Sequence, residues 1–386
     1  MINEFDICII GGGIIGASIA RELAKYDISI LVLEANPRVA QETSAGNSGL
    51  VHAGFDPTPG RLNAQLNIKG KLRYEDWIRE MQFPYLRIDS TIVAFTQEEM
   101  DHIKMLYDRG LQNGLHKKEL KIIDAQELQI REPNISKEAI GALIANSSIA
   151  VDTVELTKTL FTNAIRNGVK LKVNSKVVAI NRKDNKYIIT NSKEEIFTST
   201  YIINATGHYA DEISSMAGYP DFKLKARRGE YRILEKSEAG IVNSVVFMVP
   251  TIHGKGVIVS PMLDGRVMVG PTAVEGVAKN ETRLVTQEQY DLIGEIGKKL
   301  IPSINMNKTV TTFSGSRPIE TQTDDFWIRF ASGDDHFINV AGMKSPAIAS
   351  APAIADYVIE LVEQTFGTLK IKPNYQPQEV SLIPLV

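Results

Sequence analysis

The chain has a single cysteine, Cys8, among its 386 residues. One thiol excludes an intrachain disulfide, a thiolate metal cluster and a redox dithiol. Its place in an early apolar stretch reads as a buried core position. Histidine is scarce too. The six histidines never fall in H-x-x-x-H or H-E-x-x-H spacing, so no metal site is expected. Positive charge is not in excess: 43 Lys and Arg stand against 46 Asp and Glu, giving a net charge of −3 and a pI of about 6.1. No basic stripe marks a nucleic-acid partner. Long apolar runs are missing. The longest early uncharged stretch, Ile7 to Ala20, has 14 residues and is rich in glycine, too short for a membrane span. The N-terminus carries Glu4 and Asp6 without a basic region, so no signal peptide is expected. A cytoplasmic location follows as the expectation, with peripheral membrane association left open. No repeat, G-x-S-x-G or Walker A run is present. What remains is a globular composition, 43% hydrophobic and 23% charged, in a chain long enough for two or three domains.

The most informative segment is Asp6-Ile-Cys-Ile-Ile-Gly11-Gly12-Gly13-Ile14-Ile15-Gly16, followed by Ser29-Ile-Leu-Val-Leu-Glu34. It reads as strand, glycine turn, helix, strand, acid. Gly11 permits the tight turn, Gly13 lets a pyrophosphate approach the backbone, and Gly16 lets the helix pack on the strand. The helix start at Ile14 and Ile15 offers free N–H groups and a positive dipole end to that pyrophosphate. Glu34 falls where an acid binds an adenosine ribose. The pattern therefore predicts a dinucleotide site. The next polar segment, Thr43-Ser44-Ala-Gly46-Asn47-Ser48-Gly49, suits a loop folded against pyrophosphate and ribitol. Farther on, the apolar strand Tyr201-Ile-Ile-Asn204 ends in Ala205-Thr206-Gly207, and this pairing points to FAD rather than NAD.

The predicted fold class is α/β: a discontinuous FAD-binding domain, with a Rossmann-like parallel sheet plus β-meander, and a second α+β substrate domain built on an antiparallel sheet. The first is expected over residues 1–84, 148–215 and 332–386, the second over 85–147 and 216–331. Helical spacing runs from Leu62 to about Met81, over two charged helices in 97–131, and over Thr153–Asn167. Strands flanking Asp184-Asn185 form the meander, where Val177 is expected at the cofactor. A hairpin is expected around Asp264-Gly265. Strand is expected over Lys308–Ser316, with Arg317 and Pro318 at its end. The turn Gly342-Met343-Lys344-Ser345-Pro346 precedes a helix over Ala349–Thr365, whose N-terminus aims at the flavin's anionic edge. The tail from Thr368 reads as an extended arm.

Four stretches carry a family resemblance: Asn47-Ser48-Gly49-Leu50-Val51-His52-Ala53-Gly54, Phe247 to Pro261, Gly315-Ser316-Arg317-Pro318, and Gly342-Met343-Lys344-Ser345-Pro346. With Gly207-His208-Tyr209-Ala210-Asp211 they resemble the D-amino-acid-oxidase-like FAD superfamily, and within it the short bacterial L-α-glycerophosphate oxidases, over almost the whole chain. Ala341 and Ala347 depart from that family's pattern by one methyl each, and Ala347 fits only if its φ is negative. The resemblance implies oxidation of sn-glycerol 3-phosphate to dihydroxyacetone phosphate by noncovalent FAD, with O2 as acceptor and H2O2 as product. His52, directly after the cofactor loop, is the expected base for the substrate hydroxyl, with an imidazole pKa near 6.5 to suit the task. Covalent attachment of His52 to flavin is the alternative. Arg317 implies a clamp on the substrate's anionic group. Lys255 adds a point charge or makes an ordinary turn, and His253 could serve either part. Ser345 lies beside the ring or caps the helix. Arg227 and Arg228 add positive field or face solvent. Two other activities stay open: an L-2-hydroxyglutarate dehydrogenase or oxidase, and a tRNA-modifying flavoprotein.

Overall fold

The computed structural model describes residues 3–249 and 256–379. The chain begins β1 (Asn3–Ile10), α1 (Ile14–Leu23), β2 (Ile30–Leu33), the two-residue β3 (Leu50–Val51) and α2 (Leu62–Glu80). Helix α1 is wholly buried between the sheet and two other helices; it is apolar through its first turns, and the two charges in its last turn, Arg21 and Glu22, are buried as a pair. Asp325 accepts the first N–H groups of α2, from Leu62 at 2.9 Å and Asn63 at 3.0 Å. Next come β4 (Tyr85–Ala94), α3 (Gln97–Gln112), β5 (Leu120–Asp124), α4 (Ala125–Arg131) and β6 (Gly141–Val151). The two charged helices expected in 97–131 thus enclose a strand, β5, held by its pairing with β6.

Helix α5 (Thr153–Arg166) is capped by Asp152, which accepts two N–H groups of its first turn. Strands β7 (Lys170–Lys172), β8 (Val177–Lys183), β9 (Lys186–Asn191) and β10 (Ile196–Asn204) follow, then the short α6 (Ala210–Met216). Asp184 and Asn185, both with positive φ, make the turn between β8 and β9. Strands β11 (Leu224–Leu234), β12 (Val245–Met248), β13 (Ile258–Pro261), β14 (Val267–Gly270) and β15 (Val274–Val277) lead to α7 (Gln287–Leu300) and β16 (Thr309–Glu320). The chain closes with β17 (Trp327–Ala331), β18 (Asp334–Ala341) and α8 (Ala347–Phe366).

Two sheets result. One has eight strands, with β10, β1 and β2 parallel at its centre and the β8–β9 meander joined through β10. Helices α1, α5 and α8 pack on it around the apolar core that includes Ile7, Ile9, Leu160 and Val358. The other has ten strands and is mostly antiparallel, with β12 running parallel to β4. The hairpin at Asp264-Gly265 is β13–β14. Strand β17, within the stretch 216–331, is the edge of the first sheet, and β6 runs across the 147/148 boundary. Cys8 is buried in β1, where desolvation pushes its thiol pKa up. No helix among the described residues is long and apolar enough to cross a membrane.

Candidate active site

A cavity of about 510 Å³ lies between the two sheets. One end is built from the carboxyl ends of β1, β2 and β10 and the N-terminus of α1, the crevice where open α/β sheets receive ligands. Gly11 turns the chain there with φ of +118°, and a Cβ at Gly11 would come within 2.4 Å of the Ala205 carbonyl oxygen. Gly13 precedes α1 without a side-chain cap, and no acid occupies the first turn. The Ile14 N–H donates to Ser44 Oγ at 2.9 Å. Helix α8 also starts without a side-chain cap, and Ser345, Pro346, Ala347 and Ile348 at its start line the same cavity. Two positive helix ends therefore face one space. Ala347 lies outside the positive-φ residues, so its methyl is accommodated in the first turn of α8.

Glu34 is buried at the end of β2. Its carboxylate accepts the Gly12 N–H at 2.6 Å, the Asn36 N–H at 2.7 Å and Asn36 Nδ2 at 2.9 Å. The polar loop after it is held mainly by its own side chains. Thr43 Oγ1 donates to the Ser316 carbonyl at 2.9 Å. Asn47 Nδ2 donates to the carbonyls of Thr43 at 3.0 Å and Ser44 at 2.8 Å, while Asn47 Oδ1 accepts the Gly49 N–H at 2.7 Å. Thr43, Ser44, Asn47 and Ser48 still line the cavity, as do Gly11, Gly13, Ile14, Ile15, Val177, Ala205, Gly207, Met343 and Lys344. Gly16, Gly49 and Gly342 do not line it; they stand behind its wall. A Cβ at Gly16 would meet the Gly11 carbonyl oxygen at 2.0 Å, which shows how closely α1 lies against the glycine turn.

The other end of the cavity is walled by the second sheet. His52 follows β3, with its backbone carbonyl held by Asn67 Nδ2 at 3.0 Å and its ring 6.4 Å from Phe247. Arg317 lies inside β16, which continues through Pro318 to Glu320, rather than at the strand's end. Pro318 is tolerated because β16 is an edge strand paired only with β11. Among the described residues no carboxylate comes within ion-pair distance of Arg317. Burial holds its guanidinium pKa below the ordinary value, an effect opposed mainly by Tyr231. His253 and Lys255 lie outside the described residues. Arg227 pairs with Glu275, and Arg228 with Glu230 at 2.9 Å.

His208 was not among the expected site residues, although it sits in the Gly207–Asp211 motif. It is buried on the cavity wall, with Nε2 2.9 Å from the Ser316 carbonyl. Its Nδ1 and the neighbouring Ser316 Oγ have no protein partner. Burial lowers its pKa, which keeps the ring neutral. The motif's position directly after the Ala205-Thr206-Gly207 strand end was the available signal. Two helix starts whose N-cap residues make no side-chain bond, orphaned polar atoms and a cavity of this size suit a long, partly anionic dinucleotide such as FAD. Away from the cavity, Asp334, Asp335 and His336 come close together. The Asp334 carboxylate there already accepts the hydroxyls of Tyr187 and Tyr219 and pairs with Arg182.

Fold and cavity together define a dinucleotide-binding oxidoreductase. The family model for FAD dependent oxidoreductases matches residues 6–361, and the chain belongs to that family. A glycerol 3-phosphate oxidase from Mycoplasma genitalium is 39% identical over 380 residues, covering 97% of this chain and 98% of the relative. A glycerol 3-phosphate dehydrogenase from Caloramator mitchellensis is 37% identical over 97% of this chain and 77% of its own length. Among solved structures, dithionite-reduced L-alpha-glycerophosphate oxidase from Mycoplasma pneumoniae, with FAD bound, superposes with a TM-score of 0.95 at 38% identity, covering 99% of this chain and 100% of that one.

Proposed function

We propose that this protein oxidises sn-glycerol 3-phosphate to dihydroxyacetone phosphate, with O2 as terminal acceptor and H2O2 as product. The observation that carries the reading is Arg317, a guanidinium without a carboxylate partner among the described residues, on the wall of the cavity that His52 also lines. The near full-length likeness to glycerol 3-phosphate oxidases supports it. In this reading the eight-stranded sheet with its helices holds FAD, and the ten-stranded sheet walls the substrate end. Gly11, Gly13, Ile14 and Ile15 hold the pyrophosphate, Glu34 the ribose, and Val177 the adenosine end. Gly207, Met343, Lys344 and Ser345 lie along the rest of the cofactor. Gly16, Gly49 and Gly342 act from behind by shaping the backbone.

Bound FAD supplies the two-electron acceptor for the oxidation at C2. His52 takes the proton of the C2 hydroxyl. Arg317 orients the phosphate, and Lys255 and His253 are further substrate ligands in this reading. The two helix starts compensate negative charge along the cofactor, and the buried walls exclude water. The test is a substrate panel read by peroxide release. Glycerol 3-phosphate should turn over, and glycerol and L-2-hydroxyglutarate should be poor substrates. Preference for the dicarboxylate would make the cations carboxylate binders. A low-salt gel shift with tRNA should show no complex.

A further inference from the structure

Resting on the assignment of Arg317 to the substrate's anionic end, we propose that Tyr231 is a second ligand of that end. Its phenolic O–H donates to the phosphate that the Arg317 guanidinium holds, and Gly229 is the bare stretch of sheet that lets the two converge. Strands β11 and β16 pair with Tyr231 opposite Phe313, Gly229 opposite Gly315 and Arg227 opposite Arg317. Residues two apart on a strand share a face, so Tyr231, Gly229, Gly315 and Arg317 look to the same side. On a fully extended course Arg317 and Tyr231 would stand well apart. The guanidinium instead folds back: a Cβ at Gly229 would sit 3.5 Å from Arg317 Nη1. The same Cβ would meet Pro271 at 2.7 Å, so this floor takes no side chain without a shift of its neighbours.

Tyr231 is fixed in place. Its ring is stacked on Phe313, with centroids 4.4 Å apart and planes 6° from parallel, and only 4% of the residue is exposed. It lines the cavity, yet no described residue bonds to its hydroxyl. A buried phenol normally finds a partner, and leaving one unmet is costly. Burial raises the Tyr231 pKa, with Arg317 as the opposing charge, so the phenol stays protonated and a donor at neutral pH. A lone arginine cannot match every oxygen of a tetrahedral dianion. A rigid O–H beside the fork adds a contact that a neutral alcohol substrate could not use.

The test compares Tyr231→Phe, which keeps the ring stack, and Gly229→Ala with Arg317→Ala, all as FAD-loaded enzyme. Tyr231→Phe should raise the KM for glycerol 3-phosphate and the inhibition constant of inorganic phosphate by about 10–100-fold, the worth of one hydrogen bond to a charged group. Its kcat, flavin spectrum and kcat/KM for glycerol should hold. Gly229→Ala, whose methyl would press on Pro271 at 2.7 Å and fill the floor beside the guanidinium, should weaken phosphate inhibition in the same direction. Unchanged phosphate inhibition in Tyr231→Phe, with Arg317→Ala strongly weakened, would overturn the role of Tyr231 and leave Arg317 standing. A shifted flavin spectrum without a change in phosphate inhibition would place Tyr231 at the cofactor and equally overturn it. Unchanged inhibition in Arg317→Ala as well would remove the anion-end reading beneath both.

Discussion

At the scale of single residues, the proposed chemistry falls to His52 and Arg317. Replacing His52 by Ala or Gln should slow anaerobic flavin reduction by about 10²–10⁴-fold, the usual worth of a positioned general base. FAD content should hold, because His52 lies at the end of the cavity walled by the second sheet, its carbonyl held by Asn67 and its ring beside Phe247. A near-normal rate in stopped flow would remove it from the chemistry. Arg317→Ala should lower kcat/KM for glycerol 3-phosphate by about 2–5 kcal/mol, the cost of losing one partner of a buried ionic contact. Turnover of glycerol, poor from the start, should barely change. Equal loss on both substrates would assign Arg317 to the flavin or the fold. FAD should be released on acid precipitation, and flavin retained in the pellet would point to covalent attachment at His52.

At the scale of elements, some signals were local and therefore legible. The glycine turn, α1 and β2 follow from spacing alone, and the β13–β14 hairpin follows from Asp264-Gly265. Helix α2 appears as its apolar spacing requires. Other elements depend on pairing partners distant in sequence. Strand β5, Leu120–Asp124, is five residues among charged helices, and only β6 makes it a strand. Strand β6 itself is built largely of small and apolar residues that carry no distinct period. His208 was likewise hidden, because its value comes from the Ser316 carbonyl, 108 residues away. The glycine turn gives a sharp test. In Gly11→Ala the new methyl would meet the Ala205 carbonyl at 2.4 Å at a φ of +118°, which L side chains rarely adopt. The flavin-to-protein ratio after gel filtration should collapse. A normal ratio would mean that the turn can open without losing the cofactor.

At the scale of the whole molecule, a buried charge network ties the helices of the first sheet to the C-terminal arm. Glu22 is fully buried with Arg21, Lys25 and Arg73 around it, and Trp77 Nε1 donates to it at 3.1 Å. The arm is fastened beside it. Asn163 Nδ2 donates to the Gln376 carbonyl at 3.0 Å, and the Asp27 N–H donates to the Lys370 carbonyl at 2.8 Å. The extended tail read from its prolines is thus a strap against α1 and α5. Burial alone would raise the Glu22 pKa, but Arg21 and Lys25 outweigh it and hold it at about 2. A carboxylate lowered in the folded state stabilises fully above its unfolded value near 4.5. That contribution fades as pH falls from there toward 2. Glu22→Gln should therefore cost about 3–5 kcal/mol at neutral pH, read as a lower urea midpoint, and much of the difference from wild type should vanish at acid pH. An equal deficit at both pH values would deny the ion network its role. The central claim, that one cavity joins FAD to a phosphorylated alcohol and then to oxygen, is tested most directly by anaerobic titration of the purified protein with sn-glycerol 3-phosphate. Stoichiometric bleaching of the flavin is expected, with recovery of the yellow form and release of H2O2 when air is admitted. A flavin that stays oxidised under excess glycerol 3-phosphate would contradict it.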